Sequence, residues 1–246
     1  MHALRWLWSA TLVAGCGRVG FEAGRDASAN DDADDAAIEA RICDRYPQAL
    51  YCNDFEDGLS GLDFSDGTIA STIGYGGSAG MTFTAAPGVM PRASRTLVVP
   101  IQSAPFYIAG RMLLAPGAPI EDYVVVAQTI SNAGTKVSFD LVSLDSVQLV
   151  NSVNMGGARR AVAQTFPRGR WFCYEMMIDV GVASAGGVTL AIDAQEMLSG
   201  WQGSSTLPTG GWVRVEIGAF ASPANVATAT VIFDNWVVQA APIGCP

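Results

Sequence analysis

The sequence predicts an all-β protein, an antiparallel two-sheet jelly-roll sandwich. Residues 41–246 contain at least ten short apolar runs separated by turns rich in glycine and proline. Several runs alternate apolar and polar residues, which is the period of a strand with one buried face. No segment of this region has the 3.6-residue apolar period of a helix. Short, regularly spaced strands of this number are typical of sandwiches and jelly rolls.

The alternation is clearest in WVRVEIGAF and KVSFDLVSL, where apolar and polar residues take opposite faces. In the first run Arg214 and Glu216 share the polar face. The predicted inward residues of the two runs are Val213, Val215, Ile217, Val137, Phe139 and Leu141. The other predicted strands are TLVVPI, FYIAGRMLL, DYVVVAQTI, SVQLVNSV, WFCYEMMIDV, GVTLAIDA and TATVIFDNWVV.

Residues 1–15 have the organisation of a secretory signal segment, with the basic Arg5 followed by the apolar run WLWSATLVAG. At about 1.5 Å per residue this run is too short to span a hydrocarbon core of about 30 Å. The stretch VAGC resembles the lipobox of bacterial lipoproteins, which implies that Cys16 is lipidated and becomes the first residue. With Gly17 next, the resemblance implies anchoring to the outer membrane or cell surface of a bacterium. An ordinary signal peptide that contains a cysteine is the alternative.

Residues 16–40 are predicted to be a disordered acidic tether. Seven acidic residues stand against Arg18 and Arg25, a net charge of 2 − 7 = −5, and few large apolar residues are present. The alternative is a calcium loop in NDDADDAAIEA. An EF-hand loop that starts at Asn30 would need glycine at Asp35 and glutamate at Arg41, so the sequence favours the tether.

Four cysteines remain in residues 41–246, an even number that indicates two disulfides in an exported chain. Three connectivities are open. We favour Cys43 with Cys52, because Pro47 between them lets the chain double back, which pairs Cys173 with Cys245. A zinc site would need close pairs such as CxxC, which the sequence lacks.

The charge of residues 41–246 argues against a nucleic-acid partner. Eleven basic and sixteen acidic residues give 11 − 16 = −5, and Lys136 is the only lysine. Phosphate binding needs a clustered basic surface. The composition gives no indication of an oligomeric state.

Three stretches, YCNDFEDGLSG, RWFCYEMMIDVGVASAGGVTLAIDAQEM and VIFDNWVVQ, resemble the concanavalin A-like lectin/glucanase jelly rolls, close to the laminin-G-like group. Trp171, Asp193 and Asp234 match a strand-opening tryptophan, an Asp-Gly turn and an aspartate in the last strand, although Ala194 replaces the glycine. The resemblance implies the jelly-roll fold and a structural calcium between the first and last strands. Its candidate ligands are Glu56, Asp57 and Asp234. Alternatively, these acids accept backbone amides and cap turns.

The sequence lacks the catalytic patterns that the resemblance would imply. The glucanase pattern Glu-x-Asp-x-Glu, which brings two carboxylates to about 5 Å for retaining chemistry, is absent. Glu175 and Asp179 lie too far apart along one strand. The only histidine is His2, in the predicted signal segment, so the mature chain would have no imidazole base or metal ligand.

A glycan site needs aromatic faces beside hydrogen-bonding groups. Trp201 in SGWQGSSTLPTGG has small polar neighbours, and Gln202 offers an amide. Packing of Trp201 under a loop is the alternative. Tyr75 and Tyr107 are weaker candidates.

The preferred hypothesis is a membrane-anchored surface lipoprotein whose jelly-roll domain binds carbohydrate without catalysis. One alternative is a structural or adhesion lipoprotein, which would expose an apolar patch to protein partners. The other is a polysaccharide-degrading glycoside hydrolase, which would need converging carboxylates such as Glu175 and Glu216.

Overall fold

The structure is a computed structural model that describes residues 41–65, 68–117, 120–143, 146–153, 157–182, 185–225 and 227–246. For residues 159–165 and 202–204 it describes the backbone only. The predicted signal segment, Cys16 and the tether lie outside the described residues.

The described residues form fifteen strands and two short 3₁₀ turns, Ile42–Arg45 and Tyr75–Gly77. The strands are β1 (Tyr51–Asn53), β2 (Asp63–Phe64), β3 (Thr68–Ile73), β4 (Ala79–Ala85), β5 (Arg92–Ile101), β6 (Phe106–Leu114), β7 (Tyr123–Ser131), β8 (Lys136–Val142), β9 (Ser146–Asn151), β10 (Gly157–Thr165), β11 (Phe172–Asp179), β12 (Gly186–Ile192), β13 (Gln195–Ser204), β14 (Trp212–Ala221) and β15 (Ala229–Gln239). No helix among the described residues is long and apolar enough to cross a membrane.

Two antiparallel sheets pack face to face, which confirms the predicted sandwich. Sheet 1 has the order β13-β12-β11-β6-β15-β4-β3, and β1 pairs with β15. Sheet 2 has the order β10-β9-β8-β7-β14-β5-β2. The sequence-distant strands β5, β7 and β14 are therefore neighbours in sheet 2.

The core lies between the sheets and contains the residues that the alternation predicts, with one exception. Val137, Phe139 and Leu141 of β8 are fully buried, and Val215 and Ile217 of β14 pack in the same cluster. The prediction for Val213 is wrong, because the side chain is half-exposed while the neighbouring Trp212 is buried. A register shift between Trp212 and Arg214 displaces the alternation there.

Both ends of the described chain pack on the outer face of sheet 1. Ile243 covers Ala109 and Val237, and the Tyr46 hydroxyl donates to the Ile243 carbonyl oxygen at 3.2 Å. Both preferred disulfides are confirmed, Cys43–Cys52 with a Cα–Cα distance of 5.6 Å and Cys173–Cys245 with 5.4 Å. Two disulfides are typical of a protein that is exported from a reducing cytosol.

Candidate functional site

Four polar side chains form a row across the outer face of sheet 2. The register places Ser94 of β5 beside Glu216 of β14, Glu216 beside Gln128 of β7, and Gln128 beside Ser138 of β8. They face outward because their strand neighbours, such as Val215 and Phe139, point into the core. We call these four residues the polar row. Each is less than 10% exposed.

Glu216 is the centre of the polar row. Gln128 Nε2 donates to Glu216 Oε2 at 2.5 Å, and Arg92 Nη1 lies 3.3 Å from the same oxygen. Arg214 Nε lies 2.7 Å from Glu216 Oε1, without the alignment of a hydrogen bond. The carboxylate is thus neutralised locally by two partly exposed guanidinium groups.

Asp140 lies beside the row, two residues beyond Ser138 on β8. Its side chain is buried, and Gln148 Nε2 donates to Asp140 Oδ2 at 3.3 Å. Burial raises the pKa of Asp140 to about 6, although a hydrogen bond with Ser138, the Lys136 charge and the Gln148 amide oppose the shift. Asp140 and Glu216 therefore place two carboxyl groups in different electrostatic surroundings on one sheet face.

One oxygen of the row, Gln128 Oε1, is buried and has no hydrogen-bond partner among the described residues. The buried Ser138 hydroxyl interacts with the Asp140 carboxylate, and Glu216 Oε1 faces Arg214. Buried polar atoms in native proteins almost always have partners, so each exception needs an explanation. Hydrogen bonds supplied by a ligand are one such explanation.

A shallow depression adjoins the row and is lined in part by Met90, Arg92, Gln128, Glu216 and Phe220. The half-buried Phe220 ring packs against Tyr123, with ring centroids 6.1 Å apart. Aromatic surface and hydrogen-bonding groups thus lie side by side here, as a saccharide site requires.

Trp201 does not lie in an exposed loop. It belongs to β13, has a φ of +59° and packs in the core with 5% of its surface exposed. The pairing of β12 with β13 shifts register between Gly186 and Val188, and Trp201 follows the partner of Val188. This irregularity turns the ring inward, so the structure favours packing over ligand contact. The Gln202 side chain lies outside the described part of the chain.

Tyr75 is exposed, as expected for a ligand-binding side chain. It lies in the turn between β3 and β4 of sheet 1, whereas the polar row belongs to sheet 2. Its ring is 44% exposed, and the Arg111 guanidinium lies 3.8 Å from the ring centroid. The Trp171 ring is edge-on to Tyr75 at 6.4 Å. Tyr107 is half-buried beside the chain ends. The structure therefore does not bring Tyr75 and Trp201 together.

Two of the three expected calcium ligands cap the loop between β3 and β4. Asp234 accepts from the Tyr75 amide at 2.7 Å and from Ser78 Oγ at 2.5 Å, and Glu56 Oε1 accepts from the Ala79 amide at 2.9 Å. Burial raises the pKa of Asp234, and the nearby Glu56 charge adds to the shift. Asp57 instead contacts Arg41 Nη2 at 3.0 Å.

A cation fits beside Glu56 and Asp234 better than beside Asp57. Asp234 Oδ1 is buried without a hydrogen-bond partner among the described residues, and its carboxylate has a like-charged neighbour in Glu56. Such oxygens suit calcium. The close ligating group found in the described residues, Cys173 with Asp193 and Cys245, is not a metal site because both sulfurs form the disulfide.

Glu175 and Glu216 do not converge, which corrects the geometry suggested for a hydrolase. Glu175 lies on sheet 1, where its Oε2 accepts from the amides of Ile243 and Gly244 at 2.7 Å each. Glu216 lies on sheet 2. Glu175 therefore fixes the C-terminal segment on the sheet opposite Glu216.

The sequence matches no protein-family model and no curated relative. Among solved structures the chain is similar to an endo-β-1,4-glucuronan lyase from the fungus Trichoderma reesei, with a TM-score of 0.62 and 14% identity over 78% of this chain and 96% of that one. It is similar to Cip1, a cellulose-induced protein, with a TM-score of 0.61 and 15% identity over 80% and 100%. The alginate lyase Aly36B gives 0.55 and 9% over 77% and 90%. At these identities the similarity establishes the fold.

Sequence reasoning found part of the polar row. The alternation places Glu216 and Ser138 on the polar faces of their strands, whereas it does not single out Ser94 or Gln128. The available signal was a polar residue inside an apolar strand, such as Gln128 in DYVVVAQTI. The residues of the polar row are neighbours because their strands lie in the order β8-β7-β14-β5. The alternation of apolar and polar residues does not predict that order.

Proposed function

We propose that the domain binds carbohydrate on the outer face of sheet 2, without catalysis. The observation that carries the proposal is the buried Gln128 Oε1, which has no hydrogen-bond partner among the described residues and lies on the same face as the Asp140 carboxylate. Sugar hydroxyl groups can donate to such oxygens, and the apolar face of a sugar ring packs on aromatic surface such as Phe220. The fold is also one that several carbohydrate-active neighbours share.

Binding without catalysis is supported by the residue types on this face. The only histidine of the chain is His2, so an imidazole base is absent from residues 41–246. The Glu216 carboxylate already contacts Gln128 and two guanidinium groups.

A glycan array with the full chain tests this function. We expect binding that is lost in Gln128→Ala and weakened at least tenfold in Phe220→Ala. Gln195→Ala, an exposed glutamine at the start of β13, is the matched control and should bind normally. Binding that survives in Gln128→Ala but is lost in Tyr75→Ala would move the site to sheet 1. No binding by correctly folded protein would overturn the function.

The proposal includes a lipid anchor at Cys16, supported by the lipobox-like VAGC and the acidic stretch after it. The variant Cys16→Ser should leave the membrane fraction of a bacterial host and appear in the soluble exported fraction. Continued membrane attachment of that variant would exclude the anchor.

Protein contact is the second candidate function, favoured by exposed valines on β5. Val98 and Val99 are 92% and 72% exposed, where β5 bulges between its pairings with Arg214 and Trp212. Exposed apolar pairs of this kind occur at interaction surfaces. Loss of a co-purifying protein on Val98→Ser/Val99→Ser, with no glycan binding by the parent chain, would favour this candidate.

A further inference from the structure

We propose that the polar row selects uncharged or amino-bearing sugars and rejects uronates. This inference rests on the proposed carbohydrate-binding function and names its ligand class. It follows from two observations. The first is which atoms of the polar row lack hydrogen-bond partners among the described residues, and the second is which acidic side chains the neighbouring cationic side chains already contact.

The orientation of the Gln128 amide is fixed by its neighbour. The Glu216 carboxylate can only accept hydrogen bonds, so the Gln128 atom 2.5 Å from Glu216 Oε2 is the nitrogen. Gln128 Oε1 therefore remains without a partner. A ligand at this position must donate a hydrogen bond.

Asp140 adds to this requirement. Gln148 donates to Asp140 Oδ2 and the Ser138 hydroxyl also interacts with Asp140, and the ionised carboxyl group can accept further hydrogen bonds. The row thus presents mainly acceptors, which suit hydroxyl and ammonium groups and oppose the oxygens of a carboxylate.

The described cationic side chains of this face already interact with acidic side chains of the same face. Arg92 contacts Glu216 and the Met90 sulfur, and Arg214 contacts Glu216. The Lys136 ammonium group attracts the Asp140 carboxylate electrostatically. Asp63 pairs with Ser94 at the end of the row and adds a negative charge.

Among the side chains that the structure describes around the row, the cationic Arg92, Arg214 and Lys136 are thus matched in charge by Asp63, Asp140 and Glu216. A uronate chain would have to displace these contacts and would meet acceptor oxygens. An uncharged chain keeps the contacts and supplies the missing donors.

Calorimetric titration with three oligosaccharides of equal length tests the inference. The probes are a cello-oligosaccharide, a chitosan oligosaccharide and an oligoglucuronate. We expect one or both of the first two to bind at least tenfold more tightly than the oligoglucuronate. Equal or tighter binding of the oligoglucuronate would overturn the inference while leaving carbohydrate binding intact. No binding of any probe, together with a negative glycan array, would overturn both.

A charge variant separates selection from general affinity. Asp140→Asn replaces one acceptor by an amide and removes its charge at constant size, so discrimination against the oligoglucuronate should fall at least threefold. Asp179→Asn makes the same change on the outer face of sheet 1 and should leave discrimination unchanged. Unchanged discrimination in a folded Asp140→Asn protein would contradict the assigned role of Asp140.

Discussion

Single carboxylates of this protein have different roles according to the donors around them. Glu175 accepts two amides of the C-terminal segment, Glu216 contacts two guanidinium groups, and Asp234 accepts from a loop amide and a hydroxyl. Asp140 is buried and interacts with the Gln148 amide and the Ser138 hydroxyl. The sequence predicts that these residues are polar, but their donors come from distant elements and cannot be read from it.

Asp140 should give the domain a measurable pH dependence. Its pKa is raised from 3.8 to about 6, so between about pH 4 and pH 6 the unfolded chain releases a proton that the folded chain retains. The free energy of unfolding therefore falls as pH rises through this window, by up to about 3 kcal/mol. Asp140→Asn should remove this decrease and be the more stable protein at pH 7.

Urea denaturation from pH 4 to pH 7 measures this effect. Asp179→Asn, a half-exposed aspartate on β11, serves as the control and should keep the wild-type slope. An identical pH dependence of the wild-type and Asp140→Asn proteins would show that Asp140 does not contribute.

We propose that calcium stabilises the domain through Glu56 and Asp234. A ligand that binds the folded state raises stability by RT ln(1 + [L]/Kd), about 2.7 kcal/mol at a concentration of 100 Kd. The melting temperature should therefore rise with added calcium and fall with a chelator. Asp234→Asn should abolish the response, and Asp57→Asn should retain it. A calcium response that is lost in Asp57→Asn and kept in Asp234→Asn would assign the cation to Asp57 and contradict the proposal.

At the scale of elements, the hairpin of β12 and β13 combines correct and missed expectations. The turn after β12 was expected at Asp193, and the structure has it there. The strand β13 was not expected, because its sequence QEMLSGWQGS is polar and contains glycine. Its pairing with β12 supplies the hydrogen bonds that its own propensity does not favour.

Replacing Ala194 by glycine should stabilise this hairpin. Asp193 and Ala194 have φ values of +50° and +62°, as a two-residue I′ turn requires, and glycine is the usual second residue. Ala194→Gly should raise the free energy of unfolding by about 0.5–1 kcal/mol, since the left-handed region strains alanine. The measurement is chemical denaturation. Ala224→Gly, in a loop, is the comparison, and destabilisation by Ala194→Gly would contradict the assigned turn.

At the scale of the whole molecule, topology determines what the sequence cannot predict. The four residues of the polar row span positions 94 to 216 and meet because β14 lies between β5 and β7. Period and composition identify strands and inward faces, and the short segment with Pro47 between Cys43 and Cys52 led to the correct cysteine pairing. Period and composition do not order the strands, so the row could not be assembled from the sequence.

The Cys173–Cys245 disulfide should contribute more stability than Cys43–Cys52. It closes a separation of 72 residues against 9. Loop-closure entropy predicts about 4 kcal/mol for the longer loop and about 3 kcal/mol for the shorter one. The double variants Cys173→Ser/Cys245→Ser and Cys43→Ser/Cys52→Ser can be compared by thermal denaturation. An unchanged melting temperature in the first would contradict this contribution.

The N-terminal disulfide also defines a mechanical load path. A pulling force on the chain at Arg41 reaches Cys43 and passes through the covalent bond to Cys52 in β1, bypassing residues 44–51. Since β1 pairs with β15 inside sheet 1, the force enters that sheet and not the face carrying the polar row. A domain held by its N-terminus could therefore bear tension in flow while its opposite face stays undistorted.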